Sequence, residues 1–196
     1  MIFDWISFLL ITLFYCIYYG KQIILRKQGI NTARLAKGRK PEKTRRIEAA
    51  LMIATFGTAA VQYTSLFFGD LLLTFPLPRP FHVVGWALLL LGLIFFLLAT
   101  INMQNNWRAG IDETQKTSMV TSGIYRISRN PAFVGFDLIY LGSVLVFPNG
   151  PMLVFALFAM IMLHCQILEE EKHLPSVFGQ QYLNYKARTA RYLFMI

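Results

Sequence analysis

Five apolar stretches, at residues 2–19, 47–75, 83–101, 131–147 and 152–168, divide this chain into spans and connections. About 20 apolar residues in helical form cross the roughly 30 Å of a bilayer's hydrocarbon. Composition agrees with that scale: 56% of residues are hydrophobic, 15% are charged, and the mean hydropathy is +0.49. A soluble domain carries about 25% charged residues. The expectation is an all-α, polytopic integral membrane protein of about five spans, formed as one domain over residues 1–196.

Charge sets the expected topology. Residues 21–46 hold ten Lys/Arg against one acid, Glu42. With five spans and an outside N-terminus, every Lys/Arg of the 19 except Arg79 falls on one side. That bias marks a cytoplasmic face. No positive charge precedes the first span and no cleavage motif follows it, so it reads as a retained anchor. The basic stretch reads as a solvated loop, or more sharply as a patch for anionic headgroups, each charge adding about 1 kcal/mol. Aromatic interleaving is absent from it, which argues against nucleic acid. Cys16 and Cys165 both lie in apolar sequence, with neither a disulfide framework nor zinc spacing.

Breaks in the pattern place the connections. The run Pro76-Leu77-Pro78-Arg79-Pro80 requires a turn, and the span before it is long enough to tilt or to break near Gly69-Asp70. Pro148-Asn149-Gly150-Pro151 is a tight turn, so the last two spans form a helical hairpin. Residues 169–196 are polar and aromatic, and predict one short amphipathic surface helix.

The chemistry-bearing stretch is residues 117–135, TSMVTSGIYRISRNPAFVG. Asn is a favoured N-cap and Pro a favoured first helical residue, so a helix is expected to start at Asn130-Pro131. Its N-terminus is a natural anion site, because free backbone N–H groups and the helix dipole both favour negative charge. The plainer alternative is a basic capped loop at a membrane surface. The hairpin brings this start near Glu169-Glu170-Glu171, and Asn130 and Glu170 are expected to face one pocket. Asp137 lies two turns into the fourth span, on a face with Phe133 and Tyr140; it suits a pocket lining or an interhelical hydrogen bond equally. Glu170-x-x-His173 has the spacing of a di-iron helix, but only one copy exists, so no metal is expected.

Three blocks, NNWRAGID, GIYRISRNPAFVGF with TSMV before it, and EEEKHLPSVFGQQYLNYKART, fall in order over roughly residues 105–192. Together they resemble the isoprenylcysteine carboxyl methyltransferase family, part of a larger group of integral-membrane methyltransferases that includes the phospholipid N-methyltransferases. NNWRAGID looks like the bacterial members, which implies a bacterial inner membrane. The resemblance implies S-adenosylmethionine as methyl donor, released as S-adenosylhomocysteine, and an amphiphilic or lipid acceptor. It assigns the catalytic part to residues 102–196, and residues 1–101 supply three spans with nothing specific. By position, the cofactor contacts implied are Thr117, Ser118, Met119, Val120, Tyr125, Asn130, Pro131, Ala132, Phe133 and Glu170. Glu170, Arg129 and Asn130 are the implied catalytic group, and Gln166, Asp137 and Tyr140 the candidate acceptor contacts.

Two departures stand out. The family pattern is Arg-His-Pro with a Tyr two residues on, whereas this chain has Arg129-Asn130-Pro131 and Phe133. Asn keeps the capacity to donate and accept hydrogen bonds. The prenylcysteine enzymes also carry an Arg one turn before the Glu, implicated in holding the methyl-accepting carboxylate; here it is Gln166. Other readings are an NADPH-dependent reductase of the sterol and steroid reductase type, a membrane scaffold without catalysis, and a small transporter.

Overall fold

A computed structural model describes residues 4–32, 34–38, 40–107 and 118–194. Among the described residues there are six α-helices and no strand: α1 (Trp5–Lys27), α2 (Glu42–Phe68), α3 (Arg79–Met103), α4 (Pro131–Val146), α5 (Gly150–Phe178) and α6 (Gln180–Arg188). Four helices are long and apolar enough to cross a membrane, namely α1, α2, α3 and α5. The fourth expected span, α4, has 16 residues. It rises roughly 24 Å, less than the roughly 30 Å of hydrocarbon.

Local chemistry sets the helix ends. Asp4 caps α1: its Oδ1 accepts from Ser7 N at 3.0 Å, and Trp86 Nε1 donates to its Oδ2 at 3.1 Å. α2 gives way to a single 3-10 turn at Gly69–Leu71, the expected break. Pro80 sits within the first turn of α3, where a missing N–H costs nothing. Asn149 caps α5 through Met152 N at 2.8 Å and donates to Ser65 Oγ at 3.0 Å. Two helices outrun their apolar stretches. α1 continues through Lys27, so part of the basic stretch is helical. α5 continues through Phe178 with Pro175 inside it, so the three glutamates stand on a helix and the tail helix is only Gln180–Arg188.

The turn between α4 and α5 lies beside the loop after α2: Phe75 N donates to the Pro148 carbonyl at 2.9 Å, and Gly150 N to that of Leu73 at 3.1 Å. That end of the bundle also holds Asp4 and Trp86. The other end, here the basic end, gathers the α1–α2 loop, the start of α4, the end of α5, and α6.

Glycine sets the closest helix contact. Gly85 and Gly92 of α3 face Gly142 and Gly135 of α4. A Cβ added at Gly92 would lie 2.8 Å from the Gly135 carbonyl oxygen, and one at Gly135 would lie 2.9 Å from that of Gly92. Small residues let helix backbones meet in lipid, where van der Waals contact drives association. A buried polar belt joins three helices: Tyr15 Oη donates to Gln62 Oε1 at 2.7 Å, and Gln62 Nε2 to Ser143 Oγ at 2.7 Å. The Tyr15, Gln62 and Ser143 side chains thereby find partners inside the protein rather than in lipid.

Candidate functional site: a cleft at the basic end

The approach to α4 is built from a turn and a clasp. Gly123–Arg126 forms a 3-10 turn, with Gly123 at φ +59°. Asn102 Oδ1 stands 1.6 Å from where a Cβ on Gly123 would lie, so only glycine fits there. The turn buries Tyr125, whose carbonyl accepts from Tyr185 Oη of α6 at 2.6 Å. Burial raises the Tyr185 phenol above its ordinary range, which keeps it a donor.

Residues 128–130 then run alongside residues 189–192. Arg129 N donates to the Ala190 carbonyl at 2.8 Å, and Ser128 Oγ to that of Arg191 at 3.2 Å. The Arg129 guanidinium pairs with Glu171 at 2.8 Å and also donates to the carbonyls of Lys186 and Thr189. Arg191 meets the other oxygen of Glu171 at 2.9 Å, and that hydrogen bond raises the Arg191 pKa. Glu171 is thus the post to which loop, α5 and tail are tied. Burial, then the Asp137 carboxylate, pushes the Tyr192 phenol up to about 12. Tyr192 Oη lies 2.6 Å from His164 Nδ1.

Beside this clasp lies a cleft of about 210 Å³. α1 contributes Tyr15, Tyr18 and Tyr19, and α2 contributes Leu51, Met52 and Phe56. Ala132, Phe133 and Phe136 of α4 form a further wall, with Trp107 beside them. The charged groups are Glu170 of α5 and Lys37 of the α1–α2 loop, and Gln22, Thr55 and Gln166 add polar side chains. Gln166 Nε2 donates to Glu170 Oε1 at 2.9 Å and lies 3.5 Å from Glu48 Oε1. Gln166 Oε1 is buried without a donor among the described residues.

The two carboxylates here are treated differently. Glu48 is fully buried, and Lys40 Nζ meets both its oxygens at 2.9 and 2.7 Å. Ala36 N–H adds a third bond at 2.7 Å. Its charge is therefore balanced. Glu170 forms no ion pair among the described residues. A low-dielectric cleft with a spare carboxylate and an unpartnered amide oxygen side by side suits a cationic, hydrogen-bond-donating ligand.

Several expected site residues converge here. Ala132, Phe133, Gln166 and Glu170 line the cleft. Val120, Tyr125 and Ala132 share one apolar cluster behind it. Met119 is half-buried, and Pro131 is buried at the first position of α4. Ser118 N donates to Asn106 Oδ1 at 2.8 Å, and Thr117 lies outside the described residues.

Others stand elsewhere. Asn130 holds the N-cap position of α4, but its side chain makes no capping bond. Its Nδ2 donates instead to the Arg191 carbonyl at 3.1 Å, because the tail lies within reach. It does not line the cleft with Glu170 as expected. Arg129, expected in the catalytic group, has its guanidinium engaged by Glu171 and two carbonyls. Tyr140 is fully buried in the core against Phe136, and Asp137 is not on the lining. Asp137 Oδ1 is buried without a hydrogen bond among the described residues.

Sequence reasoning missed Glu48, Lys40, Lys37 and the α1 tyrosines. Glu48 left a signal: it is an acid at the mouth of an apolar stretch, eight residues after a lysine. The tyrosines left none, since aromatic residues in a span ordinarily face lipid or core.

Comparison with known proteins adds two findings. The family model described as phospholipid methyltransferase matches residues 80–181, from the first turn of α3 into α6. Protein-S-isoprenylcysteine O-methyltransferase of Xenopus laevis is 29% identical over 109 residues, 54% of this chain. That alignment spans 38% of the relative's length.

Proposed function

The chain belongs to the phospholipid methyltransferase family, and on that premise we propose that it methylates an amphiphilic or membrane-embedded acceptor at the cytoplasmic face, with S-adenosylmethionine as donor. The observation that carries this is the Glu170–Gln166 pair at the polar end of an apolar cleft. When bound, S-adenosylmethionine supplies a methyl group on a positively charged sulfonium.

The residues present fit such a group. Glu170 offers a carboxylate with no cation of its own among the described residues, and Gln166 Oε1 offers an acceptor beside it. Both attract an ammonium or a hydroxyl. The first-turn amides of Ala132 and Phe133, at the start of α4, favour a carboxylate. Tyr18, Phe133 and Phe136 exclude water, which strengthens every charge interaction inside. Alignment in a dry, charge-matched site provides most of what a direct displacement needs. Where the acceptor is an amine that arrives protonated, Glu170 takes up the proton.

The relative's name specifies isoprenylcysteine as its substrate. In this chain Gln166, not an arginine, stands beside Glu170, which favours an acceptor other than a carboxylate at the reacting position.

The test is calorimetric titration of the purified protein with S-adenosylhomocysteine and, separately, NADPH. Transfer of labelled methyl to total membrane lipid follows, with mass spectrometry of the product. Binding of S-adenosylhomocysteine alone is expected, with label in an amphiphile. NADPH binding without it would replace this reading with a reductase.

A further inference from the structure

We propose that Lys37 is a specificity-determining residue of the acceptor site, holding an anionic group of the acceptor's headgroup at the rim of the cleft. The acceptor role rests on the methyl-transfer reading above. Described residues on both sides of Lys37 are anchored. Lys40 Nζ donates to the Arg34 carbonyl at 2.8 Å as well as to Glu48, which ties both ends of the segment to one buried carboxylate. The Lys40 side chain is only 6% exposed and that of Glu48 is 0%. Ala36 takes φ +56°, a costly conformation for a residue with a Cβ, and its N–H reaches Glu48 Oε2 at 2.7 Å. The next residue, Lys37, is bonded through its backbone to the Arg34 carbonyl. Strained backbone held by a buried pair fixes Ala36 and, with it, the backbone of Lys37.

Lys37 lines the cleft, its side chain is exposed, and it forms no ion pair among the described residues. Four other cations of the basic stretch are engaged: Lys40 with Glu48, Lys43 with Glu169, and Arg45 and Arg46 with Glu42. The cleft thus presents a cation at its α1–α2 rim and the spare carboxylate of Glu170 on α5. The rest of the lining is largely apolar, and Tyr15 on its wall is held by the bond to Gln62. Such a cleft takes an apolar chain, with a headgroup carrying an anionic group toward Lys37 and the methyl-accepting atom toward Glu170. Lys37 lies outside the matched residues 80–181.

The experiment compares the full chain with Lys37→Ala, Lys37→Arg and, as a control, Lys27→Ala. Lys27 is an exposed cation in the last turn of α1 that does not line the cleft. Three amphiphiles of matched chain length serve as acceptors: phosphatidylethanolamine, a farnesylated cysteine carboxylate, and a primary alkylamine without an anionic group. For an anionic amphiphile, Lys37→Ala is expected to raise KM about tenfold with kcat unchanged, the effect of losing one charge-assisted hydrogen bond. Lys37→Arg restores KM, and the alkylamine and S-adenosylhomocysteine affinity do not change. The anionic probe that loses affinity identifies a phosphodiester or a carboxylate as the ligand. No change in KM, an equal change with Lys27→Ala, or an equal change with the alkylamine overturns the assignment. Direct binding of each amphiphile, by native mass spectrometry in detergent, separates the two claims. A protein that binds anionic amphiphiles through Lys37 but not S-adenosylhomocysteine sinks the methyl-transfer reading alone; the converse sinks only the role of Lys37.

Discussion

At the scale of single residues, the cleft turns on the contrast between Glu48 and Glu170. Among the described residues, Glu48 has Lys40, whereas Glu170 has only the amide of Gln166. Glu170→Gln keeps the shape and removes the charge. Calorimetry is expected to show S-adenosylhomocysteine affinity falling by about tenfold to a hundredfold, the range for a charged hydrogen bond. The melting temperature should hold. Arg129 is predicted to behave in the opposite way. Its side chain is 9% exposed and that of Glu171 5%, so Arg129→Ala leaves a buried carboxylate with Arg191 as its remaining cation, at a cost of about 1–3 kcal/mol. Thermal unfolding in detergent and faster proteolysis around residues 189–192 would register the loss. Arg129→Lys should recover only part of it, since an ammonium cannot reproduce the fork that reaches Glu171, Lys186 and Thr189. That Ala132, Phe133 and Glu170 share a cleft was legible because their blocks carry a family pattern, and Gln166 because it stands one turn before Glu170. The true partner of Asn130 was not, because the Arg191 carbonyl that takes its side chain is 61 residues away.

At the scale of elements, the α3–α4 seam is the tightest joint in the bundle. The glycine pairs are seven residues apart on each helix, and each would place a Cβ within 3.0 Å of a backbone oxygen. Gly92→Val is therefore expected to force the helices apart and lower stability by about 1–3 kcal/mol, read by thermal unfolding. Gly20→Val, where nothing lies within 4 Å, is the matched control. The spacing of Gly85, Gly92, Gly135 and Gly142 was visible in the sequence, but the pairing of α3 with α4 was not. Helix ends were read short for a physical reason. Apolar runs report the span of hydrocarbon, whereas Glu, Lys and Gln are good helix formers that carry α1 and α5 past it.

At the scale of the whole molecule, the hairpin of the last two spans and the gathering of charge at one end followed from hydropathy and Lys/Arg bias. The cleft did not, because periodicity does not say which helices lean together, and α1 and α2 supply much of its wall. The charge bias predicts orientation. In a variant lacking Cys16 and Cys165, Lys43→Cys and Lys186→Cys should react with a membrane-impermeant maleimide only from the cytoplasmic side. Arg79→Cys should react only from the other. Labelling of all three from one side would overturn the arrangement. The clasp between residues 128–130 and 189–192 also imposes an order on biosynthesis. Arg129 leaves the ribosome 60 residues ahead of the Thr189 carbonyl it must meet. While the hairpin threads into the bilayer, that guanidinium has no backbone to grip, so the pocket cannot be sealed until translation has passed the tail.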